Sequence, residues 1–242
     1  MAFTAILWRE WLAFKSKWLS ITLSSLTGPV LYITAFGWGL GSALTVDGMP
    51  YISFVIPGII AMNSMTSGFS VIAVDINMAR SYQKTFESVM ISPAPVPAYV
   101  IARISANVLR CLYASLLILA AARCFGAAPR VDAYFCIVLI LNASIFSTAG
   151  FLAGILIDSH ADIAKLSSFV ITPMSFLCGT FFPLEKFPPI LRSIAAQLPL
   201  ARTTTALRSG CASDPYLANP LILALWFAAL LSCAVCFCRK AE

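Results

Sequence analysis

Charge is scarce in this sequence. Of its 242 residues, 11% are Asp, Glu, Lys or Arg and 60% are hydrophobic, whereas soluble proteins carry roughly 25% charged residues. Folded in water, such a chain could not cover its surface with charge; in a bilayer most of that surface faces hydrocarbon and needs none. A soluble globule is excluded, and so is a disordered or collagen-like chain. The chain has one histidine, His160, in the polar link Asp158-Ser159-His160-Ala161-Asp162. One imidazole beside two aspartates is a weak ligand set, and a solvated inner loop explains it better, so no metal is assigned. No G-x-x-x-x-G-K-[ST] loop, G-x-S-x-G elbow or H-E-x-x-H helix occurs, so no catalytic residue is assigned. Carboxylates of the kind that relay protons or bind sodium are missing from the apolar runs, because Asp75, Asp158 and Asp162 fall at their ends or between them. The eight cysteines include Cys233-x-x-Cys236-x-Cys238, a lone pair spacing that small apolar residues in a membrane helix also produce. The net charge of +6 is scattered and forms no cluster of five basic residues, which argues against a nucleic-acid partner.

What the sequence has is long uncharged runs. About 20 helical residues cross a hydrocarbon core of roughly 30 Å, and the runs predict an all-α integral membrane protein with six transmembrane helices, at about 19–44, 51–74, 104–122, 133–157, 166–182 and 216–238. Pro57-Gly58 is expected to bend the second near its outer end. Placing both termini in the cytoplasm puts ten basic residues inside, Arg9, Lys17, Arg80, Arg103 and Arg110 among them, against six outside, an excess in the sense that membrane topology favours.

The segments between and before the spans carry the remaining signals. Residues 1–18 are not read as a cleaved leader, because Arg9, Lys15 and Lys17 interrupt the apolar stretch and no small-x-small site follows. Phe3, Leu7, Trp11, Phe14 and Trp18 recur at helical spacing with Arg9, Glu10, Ser16 and Lys17 on the other side, which predicts an interfacial amphipathic helix with Trp8, Arg9, Trp11 and Trp18 at headgroup depth. A plain extension of the first span is the alternative. Between spans two and three, Tyr82, Phe86, Val89 and Met90 form a stripe with Arg80, Lys84 and Glu87 off it, predicting a cytoplasmic helix over 80–91. Pro93-Ala94-Pro95-Val96-Pro97 cannot continue that helix. Such an element is either a lever for a soluble partner or an interfacial helix without one. Between spans five and six, 183–210 predicts two short helices, one starting after Pro188-Pro189 and one after Pro199, too short to span and either re-entrant from outside or resting on the headgroups.

This layout resembles the ABC-2 family of ABC-transporter permeases. Leu7-Trp8-Arg9-Glu10 before the first span, Phe86-Glu87 and Ser92-Pro93 between spans two and three, Thr172-Pro173-Met174-Ser175-Phe176-Leu177-Cys178-Gly179-Thr180-Phe181-Phe182-Pro183, and Leu198-Pro199-Leu200-Ala201-Arg202 followed by Arg208 carry the resemblance. Gly28-Pro29-Val30-Leu31-Tyr32, Gly37-Trp38-Gly39-Leu40-Gly41 and Tyr51-Ile52-Ser53-Phe54 look closest to the nodulation-factor (lipo-oligosaccharide) exporters and antibiotic-resistance permeases. The resemblance implies one transmembrane domain over 1–242 in the cell (inner) membrane. It also implies a homodimer docked on a cytoplasmic ATPase dimer, with ATP and Mg bound by that partner and no cofactor on this chain. Tyr82, Lys84, Phe86 and Glu87 would couple to the ATPase. Asn63, Met65, Thr66, Met174 and Phe176 would line a path at the dimer interface, and Phe181, Phe182 and Pro183 would gate its outer end. The cargo implied is amphipathic, a lipid-linked or lipo-oligosaccharide or a hydrophobic drug. The rival reading is a stand-alone lipid scramblase or channel without an ATPase.

Overall fold

With no water in hydrocarbon to bond the main chain, the apolar runs must satisfy their own N–H and C=O groups, and they do so as helices. A computed structural model describes residues 2–40, 45–46, 49–83, 95–127, 129–209 and 218–240. In chain order come α1 (Ala2–Ser16), α2 (Trp18–Ile33) with a π-helical continuation over Thr34–Leu40, and a two-residue ladder pairing Thr45 with Pro50 and Val46 with Met49. Then follow α3 (Tyr51–Ser81), α4 (Val96–Cys124), α5 (Ala133–Leu156), α6 (His160–Leu166), a π segment Ser167–Ile171 and α7 (Thr172–Leu177). A 3-10 turn at Leu184–Lys186, α8 (Pro189–Gln197), α9 (Pro199–Ser209) and α10 (Ala218–Lys240) complete the described chain. Among the described residues, five helices are long and apolar enough to cross a membrane: Trp18–Phe36, Tyr51–Ser81, Val96–Cys124, Ala133–Leu156 and Ala218–Cys238. The chain is a multi-pass, helical membrane protein.

Three boundaries differ from the sequence reading, each for a physical reason. Where the cytoplasmic helix was expected to start, at residue 80, α3 is still running; it ends at Ser81, and residues 84–94, with Lys84, Phe86 and Glu87, lie outside the described residues. The third span was drawn from Ile104 because Arg103 marked its edge, yet α4 starts at Val96 and carries Arg103 eight residues in, buried and paired with Glu10 of α1. Pro97 fits in the first turn of α4, where a missing N–H leaves no bond unmade. The fifth run was drawn over 166–182, but helix occupies His160–Leu177 as α, π and α in succession. It stops because Gly179 adopts φ +77°, a conformation that suits glycine, so Phe181-Phe182-Pro183 form a turn beyond the helix. Pro57 does not interrupt α3, which is helical throughout its 31 residues.

α3 sits at the centre, packed by α5 and α4, with α9 and α2 also against it. Its tightest partner is α5, and the reason is two glycines one turn apart. A Cβ on Gly150 would lie 2.3 Å from the Phe69 carbonyl oxygen, and one on Gly154 would lie 2.7 Å from that of Ala73. Gly150-x-x-x-Gly154 therefore lets the two backbones touch, the favoured way to gain dispersion contact where lipid offers no hydrophobic drive. Side-chain amides tie the seam. Asn107 of α4 donates to Gly68 O (2.8 Å) and to Ser147 Oγ (2.8 Å), and Asn142 of α5 donates to Ala61 O (3.2 Å) while accepting from Thr203 of α9 (3.1 Å). All four of those side chains are buried, so each amide or hydroxyl is matched where an orphan would be costly. By contrast Leu19, Leu23 and Leu31 of α2 and Leu221, Leu225 and Phe237 of α10 are exposed, as lipid-facing residues can be.

Gly150→Ala is expected to push α3 and α5 apart at an overpacking cost of roughly 1–3 kcal/mol, lowering the melting temperature in detergent. Gly28→Ala, where a Cβ meets nothing within 4 Å, should leave it unchanged; equal melting of the two variants would refute the close-contact account.

Candidate functional site

The two ends of α3 are built differently. At the end that includes α1, the link between α5 and α6 is strapped to the last turns of α3. Asn77 Nδ2 donates to the carbonyls of Ile157 (2.6 Å) and Asp158 (3.2 Å), Ser81 Oγ donates to Asp158 O (3.3 Å), and the Arg80 guanidinium pairs with the Asp158 carboxylate. One residue past α3, the Tyr82 ring stacks parallel on His160 at 5.3 Å between centroids. Ser159 caps α6 by accepting from Ala161 N at 3.2 Å, the role its hydroxyl suits. Tyr82, expected to couple to a partner, is 70% exposed, so its outer face is open. Both ring nitrogens of His160 are buried without a hydrogen bond. The sequence placed His160 in a solvated loop; its contact with Tyr82, 78 positions away, leaves no mark in local pattern.

On the same side, α1 lies along α4. Glu10, read as part of the polar face with Arg9, reaches Arg103 on α4, and Arg9 Nη2 donates to Glu10 Oε1 at 3.1 Å. The Phe14 ring meets Tyr113 edge-on at 5.2 Å, and the Tyr113 hydroxyl shares a hydrogen bond of 2.8 Å with Thr22 of α2. Trp8, Trp11, Trp18 and Arg9 all remain exposed, which leaves the indoles on the outward side of the helix.

At the far end the geometry centres on Phe181 and Arg208. Phe181 is buried, with ring centroids of Phe36, Tyr32 and Phe176 at 4.8, 5.4 and 5.5 Å, and its carbonyl accepts from the Tyr51 hydroxyl at 2.8 Å. Arg208 of α9 donates from Nε to Phe54 O (3.0 Å) and from Nη2 to Thr180 O (2.8 Å), with its guanidinium carbon 3.6 Å from the centre of the Phe54 ring. This stacking suits a planar cation held away from water. Gly58 makes room for it, since a Cβ there would lie 2.5 Å from Thr180 O and 2.8 Å from Arg208 Nη2. The sequence singled out Arg208 and Gly58 as words without assigning this contact. Phe182, by contrast, is half-exposed and Pro183 is half-buried.

The residues expected to line a path are divided. Met65 and Met174 are buried in this chain's own core, and Asn63 is buried with an unpartnered Nδ2. Thr66 is half-buried and donates to Asn63 O (3.2 Å), and Phe176 is 46% exposed. Asn63 and Thr66 sit mid-way along α3, between the two ends described above.

Known proteins resemble the chain over most of its length. The inner membrane transport permease YadH of Escherichia coli K12 is 28% identical over 213 residues, covering 83% of each chain. Nodulation protein J of Rhizobium meliloti is 28% identical over 203 residues, covering 83% of this chain and 77% of its own. Nodulation protein J of Rhizobium leguminosarum bv. viciae is 28% identical over 210 residues, covering 86% and 81%. The pattern of the ABC-2 type transporters matches residues 1–211, which take in both ends of α3 and the Phe181 cluster, and on this match the chain belongs to the ABC-2 type transporter family.

Proposed function

We propose that the chain is the membrane permease subunit of an ATP-driven exporter in the inner membrane, with both termini cytoplasmic and six spans per copy. The crossing that raises the count from five to six is the fifth in chain order, the α6–π–α7 succession, whose 18 residues reach about 27 Å. Two copies sit on two copies of a separate ATPase that binds ATP and Mg, and lipids surround the pair. The cargo is amphipathic, a lipid-linked or lipo-oligosaccharide or a hydrophobic drug, because Thr66 and Phe176 offer weakly polar and apolar surface without fixed charge.

The observation that carries this reading is the continuity of α3. One helix of 31 residues, about 46 Å long, starts at Tyr51, bonded to Phe181 O, and ends beside Asn77, Arg80 and Ser81, bonded to the α5–α6 link. Tyr82 follows it directly, then Lys84, Phe86 and Glu87. A push on that connection tilts a rigid rod whose other end holds the Phe181 cluster. The transport-permease relative supports the permease half of the reading, and α8 and α9 are read as helices re-entrant from the outer face.

The test of the whole reading is biochemical. The purified chain should hydrolyse no ATP and should co-purify with a separate ATPase; hydrolysis by the chain alone at the rate of the complex would sink it. Glu87→Gln should lower transport-coupled hydrolysis by roughly tenfold or more, the weight of a charge-assisted hydrogen bond worth about 1.5–3 kcal/mol, with insertion and oligomeric state intact. At the far end, Phe181→Ala should make proteoliposomes leak small solutes, since an apolar constriction closes by excluding water. Phe182→Ala, at an exposed ring, should leak less; a tight Phe181→Ala channel in a folded protein would remove the gate from this turn.

A further inference from the structure

The α1 end of the bundle holds more positive charge than its own contacts use. Arg103 is 8% exposed and paired with Glu10, but its Nε finds no acceptor. Arg110 lies a further seven residues along α4, about 21 Å from the start of the helix, and is half-buried. Among the described residues it has no ion pair and donates no hydrogen bond. Arg110 stands one helical turn before Tyr113, whose ring meets Phe14, and Lys17 stands three residues after Phe14, so both cations flank one α1–α4 contact. Arg9 joins Arg103 through Glu10, and Asp75 of α3 feels these charges. Four cations surround two carboxylates, an excess of two positive charges.

A charge this far inside an apolar helix is expensive and by default marks a site. Glu10 already serves Arg103, and fastening α1 to α4 needs no Arg110. The surroundings have the shape of an amphipath. Lys17 and Asp75 are exposed, the Phe14–Tyr113 pair stands one turn beyond Arg110, and Leu109 and Leu116, seven apart and exposed on α4, offer an apolar strip. We propose that the groove between α1, the α1–α2 junction and α4 binds the phosphodiester headgroup of an anionic membrane lipid, with Arg110 and Lys17 as its cations and the lipid chains along Leu109 and Leu116. With Asp75 counted, the groove keeps more positive charge than the single negative charge of one phosphodiester neutralises. The leaflet, the inner one, rests on the topology proposed above; the chemistry of the groove does not.

The test is lipid retention by the full chain, without ATPase, released from nanodiscs of mixed phosphatidylglycerol and phosphatidylcholine and weighed by native mass spectrometry. Wild type should keep phosphatidylglycerol in preference. Arg110→Gln and Lys17→Gln should each weaken that retention about fivefold, the weight of one basic residue near anionic lipid. Arg110→Lys should keep most of it, and Arg123→Gln, at the far end of α4, should keep all. Excess inorganic phosphate should not displace the lipid; displacement would assign the groove to a soluble phosphate ester and overturn the lipid assignment. Equal retention of the two lipids by wild type, or undiminished retention in both glutamine variants, would overturn it as well. Lys17 is exposed, so its variant reads out the site even where Arg110→Gln fails to insert. Because no ATPase is present, a negative result leaves the export reading standing.

Discussion

Everything else in the fold is positioned by the contact of two backbones. In lipid the hydrophobic effect does not hold helices together, so association depends on close packing and on hydrogen bonds between helices. The approach of Gly150 and Gly154 to the carbonyls of Phe69 and Ala73 sets the distance between α3 and α5, and also their axial register, because a slide of one residue would present a side chain where only hydrogen fits. The amides of Asn107 and Asn142 then lock that register from the α4 and α9 sides. With the register fixed, the end of α5 arrives opposite Asn77, Arg80 and Ser81, and the link to α6 can be strapped down there. The geometry at the Asn77 end of α3 is thus a consequence of a glycine pair farther up α5.

Much of this was legible as hydropathy. The runs at 51–74 and 133–157 needed only their uncharged length, and α5 was located to within a residue. What hydropathy reads poorly is a charge that has a partner. Arg103 looked like the edge of a span because a lone arginine would be, and the carboxylate that makes it affordable inside α4 is Glu10, 93 positions earlier. The far limit of the fifth run failed for the opposite reason. Cys178 to Phe182 are apolar enough to continue a helix, but Gly179 turns, and the carbonyls of Thr180 and Phe181 are claimed by Arg208 and Tyr51. Gly150-x-x-x-Gly154, which the sequence reading passed over, carries the packing, and nothing in one sequence says which neighbour a glycine faces.

Phe181 gathers the consequences. Its ring touches Tyr32 of α2, Phe36 of the π-helical continuation and Phe176 of α7, and its carbonyl is tied to Tyr51 at the start of α3. Three separate stretches of the chain therefore meet at one residue. A turn held in this way cannot open as a free lid, because moving it breaks ring contacts and a hydrogen bond to the central rod at once. It can move with the rod. The Tyr51 bond and the Arg208 bonds to Phe54 and Thr180 join the turn to the first residues of α3, so tilting α3 carries the turn along while its contacts with α2 and α7 shear. The π-helical stretch at Thr34–Leu40 sits where that shear would fall, and a loosened hydrogen-bond ladder is the kind of helix able to absorb it.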